Sequence, residues 1–305
     1  MLYDVIVIGG GPAGISASIY AVSRGLKTLV LEKDAVGGII RNVSTVTHYS
    51  GILENESGTT FADRLKSQAL NSGVEIRIED VTSLSLENKS KQVITNQNVY
   101  EAKAVVLANG TSPRHLNIPG EEAFQGNCVH YNLSNEGKPY EGKDVYVVGG
   151  SDGALKEALF LTKIASKVTL IHFEDQLGAI SEFVEKAKVN PKLSLCLHSR
   201  LTQIHGTDHV TRLDITDVHT NEVQSITVDG CGIYLFAGST PNTSLYEAVT
   251  LEDGFIVTND SMETNLPGVF AAGDIRKKVV RQIATAVSDG AVAGIRAATY
   301  VKALS

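Results

Sequence analysis

The feature that most constrains this chain is a strand, glycine turn and helix that occur together twice, first at Gly9 and again at Gly149. In the first copy the run Val5-Ile6-Val7-Ile8 leads into Gly9-Gly10-Gly11-Pro12-Ala13-Gly14, and residues 15–23 read as a helix. An uninterrupted β-branched run is what a strand buried on both faces of a parallel sheet requires. The glycines of this G-x-G-x-x-G turn have separate duties: a tight turn, close approach of backbone to a pyrophosphate, and close helix–strand packing. The helix start adds unpaired N–H groups and a partial positive charge that favour phosphate. A second strand, Thr28-Leu29-Val30-Leu31, ends at Glu32, where a carboxylate accepts hydrogen bonds from ribose hydroxyls.

In the second copy, Asp144-Val145-Tyr146-Val147-Val148 precedes Gly149-Gly150-Ser151-Asp152-Gly153-Ala154 and a helix to about residue 164. Here the middle glycine is Ser151, whose Cβ crowds a pyrophosphate while its hydroxyl offers a hydrogen bond in partial compensation. The next strand, residues 167–171, runs into His172-Phe173-Glu174. A carboxylate at Glu174 suits a free ribose 2′-hydroxyl. Two readings stay open: an NADH site with Glu174 on the ribose, or a retained domain that binds no pyridine nucleotide. The repeat predicts an α/β chain of two nested Rossmann-like three-layer domains, the second inserted in the first. The expected boundaries are 1–114 plus 246–305 and 115–245, drawn in stretches rich in Pro, Gly and Asn.

Composition narrows the partners. A net charge of −7 argues against nucleic acid and anionic membrane surfaces. No apolar run approaches the roughly 18 residues that span a bilayer. The chain starts almost directly on a strand, so no signal peptide is expected. Three cysteines, Cys128, Cys196 and Cys231, are not spaced as a C-x-x-C, and a cytoplasmic, reducing setting is expected.

Over essentially its whole length the chain resembles low-molecular-weight thioredoxin reductases, members of the FAD-dependent pyridine nucleotide–disulfide oxidoreductases. Val269-Phe270-Ala271-Ala272-Gly273-Asp274 is similar to the second FAD motif of that family. Arg281-Gln282-Ile283 resembles the segment whose backbone meets the flavin ring, and Asn109-Gly110 fills the place of a further turn. The resemblance implies FAD contacts at Gly9, Gly11, Pro12, Ala13, Gly14, Glu32, Gly37, Gly38, His48, Val81, Asn109, Gly110, Gly273, Asp274, Arg281, Gln282 and Ile283, and a homodimer. The second nucleotide site is expected at Gly149, Gly150, Ser151, Asp152, Gly153, Ala154 and Glu174. Relatives that use NADPH carry arginines where this chain has Phe173, Glu174 and Gly178, which argues against NADPH.

The departure that bears on chemistry is at Asn132 and Asn135, which stand where the family carries its redox-active Cys-x-x-Cys pair. An amide can neither attack a disulfide nor form one. The expectation is therefore an FAD-dependent oxidoreductase without disulfide reductase activity, passing electrons from NADH to a non-thiol acceptor such as a quinone, oxygen, ferredoxin or flavodoxin. One alternative has reduced ferredoxin or flavodoxin feed the flavin independently of NAD(P)H. Another is a non-catalytic flavin redox sensor or interaction module. No catalytic side chain is assigned. His48 and Tyr49 are candidates to lie against the flavin and His130 to supply a proton, although a structural histidine and a packed tyrosine are the plainer reading. Cys128 reads as a small buried hydrophobe. The histidines at 198, 205, 209 and 219 show no metal-ligand spacing, and no metal is assigned.

Overall fold

A computed structural model describes residues 2–134 and 137–304. Asn135 lies outside the described residues. The chain divides into two compact units, one made of residues up to Ser112 and from Thr240 onward, the other of Pro113–Ser239. The return crossing falls earlier than the expected 245/246. Asn242 belongs to the first unit because it exchanges hydrogen bonds with Asn109: its Nδ2 donates to the Asn109 carbonyl and Asn109 Nδ2 to the Asn242 carbonyl, each at 2.8 Å.

In the first unit the strands Glu75–Ile78, Thr28–Glu32, Leu2–Ile8 and Val99–Leu107 pair side by side in that order, all parallel. Val99–Leu107 is long enough to serve two partners on its far edge. Its start takes the antiparallel strand Lys91–Thr95, and its end takes Val269–Ala271. Alternation along the buried strands sorts the core into two layers. Val5, Val7, Val30 and Val106 face one cluster, which includes residues of the helices Pro12–Val22 and Ile283–Ala303. Ile6, Ile8, Leu29, Leu31, Val105 and Leu107 face the other.

The two helices cross on small residues. A Cβ at Gly290 would lie 2.1 Å from the Ala13 carbonyl oxygen, and one at Gly294 2.3 Å from that of Ala17. Only glycine lets the backbones approach so closely, and this crossing sets the first helix, with its glycine-turn start, against the C-terminal helix.

In the second unit five parallel strands lie in the order Leu193–Cys196, Lys167–Ile171, Asp144–Val148, Gly232–Leu235, Val129–His130. The helices Asp152–Leu161 and Ser181–Lys188 contribute to the core on one face, through Leu155, Ala158, Phe183 and Ala187. The other face packs Tyr146, Val148 and Ile171 against Leu201, Ile204, Leu213 and Ile215 of an antiparallel sheet, Ser199–Gly206, Val210–Asp217 and Val223–Thr227. Each unit thus has a covered parallel sheet, and a glycine turn follows one central strand of each. Among the described residues no helix is long and apolar enough to cross a membrane.

Candidate functional site

The first glycine turn is built as the sequence implied. Gly9 has φ +102°, and a Cβ there would lie 2.5 Å from the Ala108 carbonyl oxygen. A Cβ on Gly14 would lie 1.9 Å from the Gly9 carbonyl oxygen, so the helix can sit on the turn only without one. Gly11 is different: its missing Cβ would point into open space, with only the Gly38 Cα near, at 3.9 Å. Gly11 is also the helix N-cap, Pro12 opens the helix, and no side chain caps its N–H groups. That leaves a bare, partly positive helix end beside an open backbone, the setting a pyrophosphate requires.

Glu32 is buried at the end of its strand. Its Oε2 accepts the Gly10 N–H at 2.7 Å and its Oε1 the Asp34 N–H at 3.1 Å. Each carboxylate oxygen has a second acceptor position, so the pair can still take ribose hydroxyls. Gly273, at φ +83°, leaves room for Ala13, whose Cβ would be 2.8 Å from a Cβ on it.

Next to it, Asp274 Oδ1 is shielded from solvent with no hydrogen-bond partner. Burial holds this carboxyl above its usual range, against the pull of Lys278, whose Nζ lies 3.5 Å from it. Beyond this ion pair the oxygen has no close donor, so it keeps acceptor capacity for a hydroxyl. The residues fit FAD, and Asp274 offers an acceptor oxygen beside the glycine turn. Gln282 caps the C-terminal helix in a reciprocal box with Thr285, which fixes the backbone at Gln282 and Ile283. The Arg281 guanidinium stacks on Phe255 at 4.1 Å from the ring centre.

Other expected contacts have further duties. The Asn109 side chain is committed within the protein: besides the Asn242 exchange, its Oδ1 accepts from the buried Tyr246 hydroxyl at 2.6 Å. Val81 is buried in the core at the start of a strand. Gly37 and Gly38 both have positive φ, and His48, exposed, is left-handed at φ +57°. Tyr49 packs edge-on against Phe61, with ring centres 5.7 Å apart.

The second glycine turn differs in detail. A Cβ at Gly149 would lie 2.5 Å from the Phe236 carbonyl oxygen, and one at Gly150 2.4 Å from the His172 ring. Ser151 is the N-cap of its helix yet its hydroxyl accepts no cap hydrogen bond, and Gly153 has nearly open space at its Cα. Asp152 Oδ1 accepts the Ile180 N–H at 2.8 Å, and Ala154 is fully buried. His172 is buried, with Nδ1 unpartnered and Nε2 3.2 Å from the exposed Glu174 carboxylate. Sequence reasoning missed Arg200. It comes from the neighbouring strand Ser199–Gly206, and its guanidinium lies 5.2 Å from the ring centre of Phe173, giving this loop a cation that its own segment lacks.

Asn132 Oδ1 accepts the Ser134 N–H at 2.9 Å and so closes a local turn. His130 is half-buried. Its Nε2 is 2.6 Å from the Tyr140 hydroxyl, its ring packs on Tyr234, and burial lowers its pKa. All three cysteines are free thiols. Cys128 has a cysteine neighbour that spacing could not show, since it lines one cleft with Cys231. Burial pushes the Cys231 thiol up to about 12, so it stays protonated and a poor nucleophile.

Two Rossmann-like units, one with a flavin-type cradle, define a dinucleotide-dependent oxidoreductase. The pyridine nucleotide–disulphide oxidoreductase family model matches residues 3–290, and the chain belongs to that family, in its thioredoxin reductase-like branch. It is 38% identical to a thioredoxin reductase of Peptoclostridium acidaminophilum over 99% of this chain and 98% of that protein. The crystal structure of Lactococcus lactis thioredoxin reductase in its FR conformation superposes with a TM-score of 0.94 at 34% identity, covering 99% of each chain. That of T. acidophilum thioredoxin reductase gives 0.91 at 29%, covering 100% of this chain and 99% of that one. The family uses FAD, with NADPH the usual electron donor.

These likenesses overturn the expectation of a flavoprotein that lacks disulfide reductase activity and serves a non-thiol acceptor, and with it the ferredoxin- or flavodoxin-fed and sensor alternatives. Full-length relatives at 35–38% identity are named thioredoxin reductase and point to disulfide reduction. The expectation rested on Asn132 and Asn135, and asparagines there bar a relay through a resident disulfide at those positions, not the reduction of a disulfide carried by the acceptor.

Proposed function

We propose that this protein is an FAD-dependent disulfide reductase, taking electrons from a reduced pyridine nucleotide and delivering them to a disulfide of an acceptor. The observation that carries the reading is the 38% identity with a thioredoxin reductase across 99% of the chain. The cradle of Gly9, Gly11, Gly14, Glu32, Gly273 and Asp274 supports it, because it offers a bare helix end for the pyrophosphate and a carboxylate oxygen with spare acceptor capacity for a sugar hydroxyl. When bound, FAD supplies two-electron acceptance from a nicotinamide and delivery to sulfur.

In the net reaction one reduced nucleotide and one proton are consumed, one S–S bond breaks and two thiols form. The cysteines of this chain stand at 128, 196 and 231, so the disulfide that breaks is the acceptor's own. The second unit holds the nucleotide. Its helix N-terminus at Ser151 receives the pyrophosphate, and Glu174 reads the ribose, which favours NADH, while Arg200 is the nearby cation that a 2′-phosphate would seek. A second copy of the chain is the expected partner, checked by sedimentation.

The test mixes the FAD-loaded protein with NADH or NADPH and a panel of disulfides, from oxidised thioredoxin to low-molecular-weight disulfides, following nucleotide oxidation and thiol release together. Disulfide-dependent oxidation, with two thiols per nucleotide, is expected for at least one acceptor. Flavin that is reduced by nucleotide and then reoxidised by no disulfide in the panel would sink the reading.

A further inference from the structure

We infer that the second unit carries a surface site for a divalent transition ion of the zinc class, formed by Asp175, His198 and His219. The three residues come from separate segments. Asp175 lies in the loop after the strand Lys167–Ile171, His198 just before the strand Ser199–Gly206, and His219 in the turn after Val210–Asp217. Their donor atoms converge pairwise. His198 Nδ1 is 2.7 Å from Asp175 Oδ1 and 2.9 Å from His219 Nε2, and the last two atoms are 3.4 Å apart. This is the single group of three such side chains, among the described residues, whose ligand atoms all lie within 4.8 Å of one another.

Hydrogen bonds can close two edges of such a triangle but not all three, because His198 Nδ1 faces both of its neighbours with one lone pair or one proton. A metal ion satisfies all three atoms at once. Two imidazoles and one carboxylate suit Zn²⁺ and its neighbours in the transition series and are a poor set for Mg²⁺ or Ca²⁺, which take oxygen ligands. Tetrahedral bonds of about 2.0–2.1 Å would put donors about 3.3 Å apart, so the 2.7 and 2.9 Å edges need open by about 0.6 and 0.4 Å while the 3.4 Å edge already fits. Asp175 and His219 are exposed and His198 is half-buried, which leaves the solvent side of the triangle open for water as a fourth ligand.

The backbone holds the ligands in place without the ion. His198 donates its N–H to the Glu174 carbonyl at 3.3 Å and accepts the Val218 N–H at 2.7 Å, which ties all three segments together. The turn at His219 is closed by Asp217 Oδ1, which accepts the N–H groups of His219 and Thr220 at 2.8 Å each. His198 is itself left-handed, at φ +52°, a conformation uncommon outside glycine. A bound ion would clamp Asp175, and with it the adjoining Glu174, to the antiparallel sheet.

The test is calorimetric titration of the untagged, FAD-loaded protein with Zn²⁺, and with Co²⁺ read by visible absorption to the red of the flavin band. The parent and a His209→Gln control are expected to take up one equivalent per chain. His198→Asn, chosen because asparagine tolerates the left-handed backbone, and His219→Gln should each weaken uptake by at least about tenfold. Both changes lie on the surface, and retained flavin and melting temperature show that the variants are folded. No saturable uptake by the parent, or uptake unchanged in either variant, would overturn the site.

Discussion

The crossing of the first and last helices gives the sharpest test of how this fold holds its flavin cradle. In Gly290→Ala the new Cβ would lie 2.1 Å from the Ala13 carbonyl oxygen and 2.9 Å from the Ser16 Cβ. Carbon–oxygen contacts settle at about 3.3 Å or more, so the helices must part by roughly 1 Å. Backbone cannot swing aside as a side-chain tip can, which puts the overpacking penalty near the upper end of about 1–3 kcal/mol. Removing glycine from a helix interior returns about 1 kcal/mol.

The net loss is about 2 kcal/mol, equivalent to a fall of about 4–8 °C in melting temperature for a unit of this size. Ala13 lies in the first helical turn, so the displacement also reaches the pyrophosphate-binding N–H groups and should weaken FAD roughly tenfold, which is about 1.4 kcal/mol. Thermal release of flavin fluorescence reads both effects. The control is Gly153→Ala, also in a helix, where only Ser151 Oγ lies within 4 Å of the new Cβ, at 3.9 Å. That change should be neutral or slightly stabilising. A Gly290→Ala protein that melts and releases FAD like the parent would show that the crossing yields freely, and the reasoning would fail.

Three further outcomes follow from other parts of the molecule. The Arg64 guanidinium holds the buried Glu56 carboxyl below its usual range, with contacts of 2.6 and 2.8 Å, and Glu56 also accepts the Leu53 N–H. A depressed carboxylate stabilises above its unfolded pKa and loses that contribution as pH falls through the folded one. Glu56→Gln should therefore be less stable than the parent at neutral pH, and the gap should close in acid; a gap that persists below the carboxylate range would contradict the pairing. Glu174→Arg should shift the NADPH-to-NADH ratio of kcat/KM upward by about tenfold or more, by replacing a repelling charge with a bidentate phosphate donor; an unmoved ratio would place the 2′ position elsewhere. Ser151→Gly should lower the KM for the reduced nucleotide if the pyrophosphate crosses that turn, whereas a raised KM would show the hydroxyl to be a phosphate donor.

The sequence by itself determined the two Rossmann-like units and the outline of the first cradle, because both depend on local chemistry. Buried β-branched runs favour central parallel strands, and glycines at fixed spacing after them leave few turns available. What it left open was set by residues far apart in the chain. Asn109 looks like a turn residue by a nucleotide, but its side chain is engaged by Tyr246 and Asn242, which only the return of the chain to the first unit brings near. Arg200 reaches Phe173 because two strands from different sheets lie together, so a cation hidden from the local motif joins the loop at Phe173. His198 and His219 have no metal-ligand spacing, yet the antiparallel sheet and the loop at Asp175 set their nitrogens 2.9 Å apart. Asn132 and Asn135 show the converse risk, since the absence of thiols at two positions suggested the loss of an activity to which the relatedness of the whole chain points. Spacing along the chain fixes backbone geometry over a few residues, whereas the meeting of charged and polar side chains depends on packing between elements, which only the folded structure supplies.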